Sequence, residues 1–395
     1  MLNHIAMKTI TIILALFLVS NLNFGCGKVV QMTYLAPEKV NDGIDVGTLQ
    51  QVSMDTTLIM NAVNRINHGK YNEVHSMLIY RNDKLVMEKY FKGYKYQWDA
   101  RKYRGEFVDW NRNMPHSIMS CTKSYTSACI GIAIANGSID NVHQSIFDYL
   151  PDHQHMKTGN RQYITIEHLL TMTSGLAWNE WGASHGTSAN DVDMLYFNCD
   201  DPVACVLDRS WWAVPGEYFT YNGGGTVILA EILRNATNMN IEEFSMKYLF
   251  APMSIDSPGW TQYKNGMYDS AGSLKLTPRE MLKFGITYLD GGIWNDSIII
   301  APDWIVKSSN SYNDNQEINI PIEDSGLCGY AYSWWTSELD YNGEIIYMYR
   351  AGGWGGQSIM VFPQLDMVIV FTGGNYSSNS SLFQIVEGFI LPSIL

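Results

Sequence analysis

Ser120 and Lys123 are the side chains whose types and spacing first indicate chemistry in this sequence. They lie in the stretch 117–136 (SIMSCTKSYTSACIGIAIAN), which is small and apolar and carries Lys123 as its one charged side chain. Residues three apart share one side of a helix, so a hydroxyl and an amine would meet there. Free N–H groups at a helix N-terminus favour a developing negative charge. The pair therefore suits acyl transfer, in which a close base activates a serine.

A purely structural explanation also fits this pair. Lys123 would then extend from a surface helix and Ser120 would be one of several small packing residues. Ser-x-x-Lys alone is too short and too common to decide. An ammonium in an otherwise uncharged, buried helix is costly unless it has a use, which favours the chemical explanation.

Two further segments contain candidate residues. Tyr221 lies in the segment 215–225 (PGEYFTYNGGG), where a glycine-rich loop can hold a phenol beside a nucleophile. The segment 350–357 (RAGGWGGQ) precedes a predicted strand, and its glycines would let a ligand accept backbone N–H groups. Taken singly, the first is better explained by a loop aromatic and the second by a β-bulge.

Hydrophobic periodicity and turn residues predict the elements that position these segments. Two long loops are predicted over 94–112 and 178–201. Helices are predicted over 56–67, 117–136, 164–173, 226–234, 241–249, 278–289 and 382–390, and strands over 75–80, 84–91, 331–336, 344–350, 357–362 and 367–372. Strands at both ends with helices between them predict an α+β fold. One antiparallel sheet would come from the N- and C-terminal segments, an all-α region would lie beside it, and the active site would lie in the groove between them.

The first 25 residues have the pattern of an export signal. Lys8 is their only charge, and the apolar run 9–19 is too short for a stable transmembrane helix. Cys26 follows as at a bacterial lipoprotein cleavage site, although Asn23 stands where a leucine is expected. Cleavage by an ordinary signal peptidase, giving a soluble secreted protein, is the alternative.

The domain organisation follows from this pattern. We expect a lipoprotein signal peptide over 1–25, with lipid on Cys26 as the first mature residue. An extended lead-in over 26–55 would precede one catalytic domain over 56–395. The expected location is the periplasm or cell envelope, with the membrane contacted only through the lipid anchor.

Charge and cysteine usage exclude several classes of partner. A net charge of −13 argues against nucleic acid and against docking on anionic lipid headgroups. The six cysteines lack the spacing of a zinc site, so no metal and no cofactor are predicted. Cys121 and Cys129 are expected to be buried thiols. Export would permit disulfides, and Cys199 and Cys205 are close enough to pair, although nothing in the sequence requires it.

Taken together and in this order, the three segments resemble the serine β-lactamase and penicillin-binding-protein superfamily. The resemblance is to its class C β-lactamase-like branch, which includes family VIII-type carboxylesterases, D-amino-acid peptidases and 6-aminohexanoate-dimer hydrolases. It covers residues 55–395 and rests on SCTKSYTSACIGIAI, ITIEHLLTMTSGL, PGEYFTYN, AGSLKLTPREMLKFG and GGWGGQSIMVFPQLDMVIVF. It implies the β-lactamase/transpeptidase-like fold.

The resemblance also implies roles for individual residues. Ser120 would be the acylated nucleophile, with Lys123 and Tyr221 as a coupled general base and acid. The backbone N–H groups of Ser120 and Trp354 would form the oxyanion hole. The expected substrate-binding residues are Asn222, Gly223, Gly352, Gly353, Trp354, Trp178 and Trp181.

The sequence departs from the family pattern at two positions. Gly223 stands where an asparagine is usual, with Asn222 as a neighbouring substitute. Ala351 stands where Lys or His opens the third motif and helps to bind the β-lactam amide and carboxylate. Arg350 is adjacent, but strand alternation would turn it to the other face. These departures disfavour efficient β-lactam hydrolysis and, with the aromatic surroundings, favour a neutral ester or amide.

We therefore expect an exported serine hydrolase that cleaves a small-molecule or peptide-like ester or amide through a Ser120 acyl-enzyme. The alternative is a penicillin-binding or sensor-like protein, a weak β-lactamase or a D-amino-acid peptidase, that acylates with little turnover. A catalytically inactive surface scaffold is a third possibility. His116 and His168 do not indicate a Ser-His-Asp site, because no Gly-x-Ser-x-Gly elbow surrounds Ser120.

Overall fold

The computed structural model describes residues 32–187 and 189–395. The chain divides into the units Met1–Met32 and Thr33–Leu395, and the architecture given below is that of the second unit. The predicted signal peptide and Cys26 lie outside the described residues. Within the described ranges, none of the helices has the length and apolar character that a bilayer crossing requires.

An eight-stranded antiparallel sheet forms the centre of the unit. The strands in chain order are β1 (Val74–Arg81), β2 (Lys84–Tyr90), β3 (Lys92–Tyr96), β4 (Arg104–Asp109), β5 (His116–Ser117), β6 (Lys275–Leu276), β7 (Ile293–Trp294), β8 (Ser297–Ile298), β9 (Ile318–Asn319), β10 (Leu327–Tyr330), β11 (Trp335–Tyr341), β12 (Glu344–Gly353), β13 (Gln357–Phe362) and β14 (Met367–Gly373). The sheet order is β2-β1-β14-β13-β12-β11-β10-β9. Strands β3 and β4, β5 and β6, and β7 and β8 form separate pairs.

Strands from the N- and C-terminal parts of the chain pair within this sheet, as predicted. Strand β1 pairs with β14, with Met77 opposite Phe371 and Ile79 opposite Ile369. Every residue of β13 and β14 is buried. Successive side chains point to opposite faces, so these central strands are covered on both sides.

Ten α-helices lie around the sheet in the described part of the chain. They are α1 (Thr56–Asn67), α2 (Thr122–Ala135), α3 (Ile166–Leu170), α4 (Asp191–Phe197), α5 (Pro202–Leu207), α6 (Gly223–Thr237), α7 (Ile241–Ser245), α8 (Pro278–Leu289), α9 (Pro302–Ser309) and α10 (Leu382–Ile385). Helices α7 and α10 continue as π-helical turns over Met246–Phe250 and Val386–Ile390. The α+β description is therefore confirmed.

The central helix α2 is buried from Thr122 to Ala133. Its hydroxyl-bearing side chains donate hydrogen bonds to backbone carbonyls of later segments: Ser124 to Ser333, Thr126 to Ser270 and Ser127 to Tyr332. Buried hydroxyls need such partners. The bonds fasten α2 to the segments that form the wall of the site described below.

Three sequence-based assignments differ from the structure. The strand predicted over 331–336 is wrong, because Ala331 N donates to Trp334 O in a tight turn in which Ser333 has a φ of 62°. This turn is apolar because it is buried, and burial produced the strand-like pattern. The predicted loop over 94–112 contains β4, and the predicted loop over 178–201 contains α4.

Candidate active site

Ser120 lies on a strained turn that connects β5 to α2. The turn Met119–Cys121 is a single 3-10 turn, so the predicted helix over 117–136 begins later, at Thr122. Met119 has a φ of 50°, a left-handed conformation that a residue with a Cβ rarely adopts. Such strain persists where the surroundings enforce it, and it clusters at functional sites. Ser120 lines a cavity together with Lys123 and Tyr221.

Lys123 contacts Ser120 directly. Its Nζ lies 3.0 Å from Ser120 Oγ and donates to Ala271 O at 2.9 Å. The residue is 2% exposed, and its ammonium lies 3.6 Å from Glu180 Oε1. The predicted meeting of hydroxyl and amine is therefore present, in a site that excludes most solvent.

Tyr221 reaches the same place from the loop that precedes α6. Its ring centroid lies 4.9 Å from Lys123 Nζ, and the indole of Trp181 stacks on the phenol ring at 4.7 Å. Burial raises the pKa of Tyr221 well above its usual value, the charge of Glu180 raises it further, and a hydrogen bond with Ser120 opposes both. The phenol is therefore protonated at neutral pH and can donate a proton.

The C-terminal end of β12 packs against the Ser120 turn. A side chain at Gly353 would collide with Ile118 O and come within 3.2 Å of Cys121 N, so only glycine lets the strand approach this closely. Gly352, Gly353 and Trp354 line the cavity together with Ser120. The backbone N–H groups of Ser120 and Trp354 thus belong to the same cavity wall, and their role as an oxyanion hole stays a prediction.

The cavity has a volume of about 830 Å³ and its outer wall is aromatic. Trp354 forms ring contacts with Tyr103 at 4.9 Å and with His185 at 4.7 Å. Trp98 and Phe197 continue this wall toward solvent, with more than a third of each residue exposed. Such a wall offers apolar and stacking surface to a bulky neutral group.

Glu180 belongs to the site although sequence reasoning did not select it. Its Oε2 accepts hydrogen bonds from Gly223 N at 2.8 Å and from Trp178 Nε1 at 2.9 Å, while Oε1 faces Lys123. The signal in the sequence was the missing side chain at Gly223. A glycine does not show which residue occupies the space beside it, so the sequence could indicate the missing side chain but could not identify Glu180.

Two of the predicted substrate-binding residues lie behind the cavity wall. Asn222 Oδ1 accepts a hydrogen bond from Gly225 N at 3.0 Å, so this side chain caps α6. Trp178 packs into the main apolar core and orients Glu180 through its indole N–H. Trp181, in contrast, lines the cavity and covers Tyr221.

Arg350 lies on the face of β12 opposite to Ala351, as strand alternation predicts. Ala351 packs in the apolar core, and Arg350 shares the opposite face of β12 with Gly352, whose Cβ would lie 2.6 Å from Arg350 Nη1. Arg350 forms a buried ion pair with Glu323, which lines the cavity. The basic group beside the third segment is therefore present, but an internal carboxylate neutralises it.

The cysteines are distributed between one disulfide and buried thiols. Cys199 and Cys205 form a disulfide between α4 and α5, a pairing that the sequence left open. Cys121 and Cys129 are buried on the central helix, as expected, and burial raises the pKa of both thiols. These two thiols are therefore protonated at neutral pH and packed as small apolar groups.

Comparisons with known proteins agree with this arrangement. The model of the Beta-lactamase family matches residues 74–379. Penicillin-binding protein 4* of Bacillus subtilis is 26% identical over 238 residues, which cover 52% of this chain and 49% of that protein. The chain spans half or less of the length of the curated relatives that it matches, with shares from 36% to 49%.

Solved structures share the fold over nearly the whole chain. A Bacillus anthracis protein described as a 6-aminohexanoate-dimer hydrolase has a TM-score of 0.66 at 19% identity, covering 92% of this chain and 87% of its own. A family VIII carboxylesterase has a TM-score of 0.63 at 13% identity, covering 85% and 96% of the two chains. At these identities the similarity shows the fold alone.

Proposed function

Because the chain belongs to the Beta-lactamase family, we propose that it is a serine hydrolase that cleaves an ester or amide bond through an acyl-enzyme on Ser120. One observation carries the proposal. Lys123 Nζ lies 3.0 Å from Ser120 Oγ, within the reach that a general base needs. Ser120 lines the cavity and Lys123 is buried, so the explanation of this pair as ordinary surface residues does not apply.

The proposed reaction has two steps. In the first, Ser120 Oγ bonds to the acyl carbon, the bond to the alcohol or amine leaving group breaks, and the serine proton passes through Lys123 and Tyr221 to the leaving group. In the second, water bonds to the acyl carbon and the bond to Oγ breaks. One water proton then returns to Oγ through the same pair, and the acid product leaves. The raised pKa of Tyr221 supports its role as the proton donor.

The surroundings of the pair favour a neutral acyl group. Among the basic groups on or beside the cavity, Arg350 is paired with Glu323 and Lys123 lies beside Glu180, whereas Lys275 lines the cavity at an exposed position. A substrate carboxylate would have to compete with these internal partners. The aromatic wall of Trp98, Tyr103 and Trp354 adds apolar surface for a bulky group, and we propose neutral esters and amides as the substrate class.

Export to the cell envelope is part of the proposal. The disulfide between Cys199 and Cys205 supports it, because structural disulfides persist in oxidising compartments. Lipid attachment at Cys26 is proposed from the sequence pattern alone.

The test is labelling of the purified protein with a fluorophosphonate, read by intact mass, alongside turnover of p-nitrophenyl esters. We expect one adduct on the wild-type protein, none on Ser120→Ala, and steady ester turnover. Absence of an adduct, or equal labelling of Ser120→Ala, would overturn the proposal. A persistent penicilloyl adduct without ester turnover would instead support the penicillin-binding alternative, which the name of the B. subtilis relative keeps in view.

A further inference from the structure

We propose that Glu180 is a positioning residue of the acyl-transfer site, where its carboxylate takes the place of the polar side chain that position 223 lacks. The inference rests on the proposed function and extends it to a residue 41 positions before Tyr221 in the chain. It explains how an active centre can form although its second segment reads Tyr-Asn-Gly in place of Tyr-x-Asn.

The carboxylate of Glu180 fills the space next to Gly223. A Cβ built on Gly223 would lie 2.8 Å from Glu180 Oε2 and 3.4 Å from Oε1, so the carboxylate occupies the volume of the absent side chain. Asn222 cannot supply the missing group, because its Oδ1 caps α6 through Gly225 N. Glycine at 223 and glutamate at 180 are therefore two halves of one arrangement.

Hydrogen bonds fix the carboxylate of Glu180 in this position. Oε2 accepts hydrogen bonds from Gly223 N and Trp178 Nε1, and the side chain of Glu180 is only 10% exposed. Gly223 is the first residue of the 15-residue helix α6, whose unpaired N–H groups favour a negative charge at that end. Two donors on one oxygen leave Oε1 free to face the reacting groups.

The negative charge of Glu180 acts on both Lys123 and Tyr221. Within residues 32–187 and 189–395, Glu180 provides the only carboxylate oxygen within 4.0 Å of Lys123 Nζ, at 3.6 Å. When Lys123 has taken the serine proton, its buried ammonium needs a counter-charge, and Glu180 supplies it. The same negative charge lies beside the phenol of Tyr221 and disfavours its ionisation. Glu180 thus fixes the amine next to Ser120 and keeps the phenol a proton donor.

Four variants test the inference: Glu180→Gln, Glu180→Ala, Gly223→Asn, and Glu180→Ala combined with Gly223→Asn. We expect Glu180→Gln to lower kcat for an alkyl ester, whose leaving group needs a proton, at least tenfold. The rate of this variant should begin to fall at a lower alkaline pH than the rate of the wild type, because removing the charge of Glu180 lowers the pKa of Tyr221. Each alanine or asparagine single variant should lose at least tenfold, and the double variant should regain at least tenfold over the weaker single variant.

Two exposed substitutions of the same kinds serve as controls. Glu338 lies on the solvent side of β11, and a Cβ built on Gly388 would have no atom within 4 Å, so Glu338→Gln and Gly388→Asn are the control variants. Both should keep wild-type rates and pH profiles. Thermal unfolding of every variant separates lost folding from lost chemistry. Should Glu180→Ala alone fail to fold, the folded double variant decides the question by its rate relative to Gly223→Asn.

The outcomes separate the two proposals. If the wild type takes up no fluorophosphonate, the hydrolase function fails and Glu180 has no reaction to support. If the wild type is labelled, but Glu180→Gln keeps its rate and pH profile, only the role of Glu180 is overturned. A folded double variant no more active than Gly223→Asn would also overturn it, because the two positions would then not be exchangeable.

Discussion

The imidazoles of His75 and His116 are in direct contact inside the protein, with His75 Nδ1 3.2 Å from His116 Nε2. The indole of Trp110 stacks on His116 at 3.7 Å and closes the pair off from solvent. His75 belongs to β1 of the sheet, and His116 belongs to β5, four residues before Ser120. The pair therefore connects the sheet to the segment that carries Ser120.

This histidine pair predicts acid sensitivity. Burial lowers the pKa of both imidazoles, and His75 adds to the effect on His116, while Glu73 opposes it at His75. Both are thus neutral in the fold but gain protons on unfolding below their ordinary pKa of 6.5. Their stabilising contribution is complete above that pH and is lost as the pH falls through the folded-state values. Each histidine contributes a slope of up to about 1.4 kcal/mol per pH unit.

Urea unfolding between pH 5 and 7.5 checks this prediction. We expect the free energy of unfolding of the wild type to fall toward pH 5 more steeply than that of a His75→Gln, His116→Gln double variant. The exposed residue His68 provides the control, and His68→Gln should keep the wild-type slope. Equal slopes for the wild type and the double variant would contradict the prediction.

Tyr221→Phe should affect poor leaving groups more than good ones. In the proposed mechanism the phenol donates a proton to the departing oxygen or nitrogen, and p-nitrophenolate leaves without one. We expect kcat for an alkyl ester or amide to fall about 10²- to 10⁴-fold, the range for general acid catalysis, with a much smaller loss for a p-nitrophenyl ester. The two rates are measured on the same preparation, and Tyr163→Phe, at an exposed position, is the control. Equal losses for both substrates would argue against the proton-donor role.

Glu323→Ala should change which substrates are accepted. Arg350 is 2% exposed, and the variant would leave its guanidinium without a partner beside the cavity. We expect kcat/KM for an ester or lactam bearing a carboxylate to rise at least tenfold relative to a neutral ester. The variant should also be less stable, since breaking a buried pair costs about 3–5 kcal/mol. Glu317→Ala, at an exposed position before β9, should change neither quantity, and an unaltered substrate ratio in Glu323→Ala would refute the prediction.

The disulfide should be detectable and should stabilise the region around α4. Alkylation of the denatured, unreduced protein should modify Cys121, Cys129 and Cys328 but leave Cys199 and Cys205 unmodified in peptide maps. Closing a loop of this length contributes about 2 kcal/mol by chain entropy. The Cys199→Ser, Cys205→Ser variant should therefore melt several degrees lower, and modification of Cys199 and Cys205 before reduction would rule the bond out.

Local signals account for the elements that the sequence predicted best. Helix α1 has the predicted bounds because Asp55 caps it, its Oδ1 accepting a hydrogen bond from Thr57 N at 2.6 Å. Helix α8 has them because Thr277 and Glu280 form a reciprocal capping box. The contact of Ser120 with Lys123 follows from a three-residue spacing. In each case the determining residues are neighbours in the chain.

Features that depend on distant contacts were beyond such reasoning. Glu180 meets Gly223 across 43 positions, and no periodicity connects the two. The partner of Arg350 is also remote, because Glu323 lies 27 positions earlier in the chain and no sequence pattern connects the two. The apolar turn at Ser333 resembled a strand because burial, and not pairing, selected its side chains.

The pairing of β1 with β14 determines when the sheet can be completed. Strand β1 has no β14 to pair with until the segment up to Gly373 has left the ribosome, and 286 to 299 residues separate the paired positions. Contacts this remote in sequence form slowly, since a long stretch of chain must first be closed into a loop. The wall that β12 contributes beside Ser120 is likewise among the last parts to be made. A nascent chain therefore holds Ser120 and Lys123 without the cavity around them until β12 has been made.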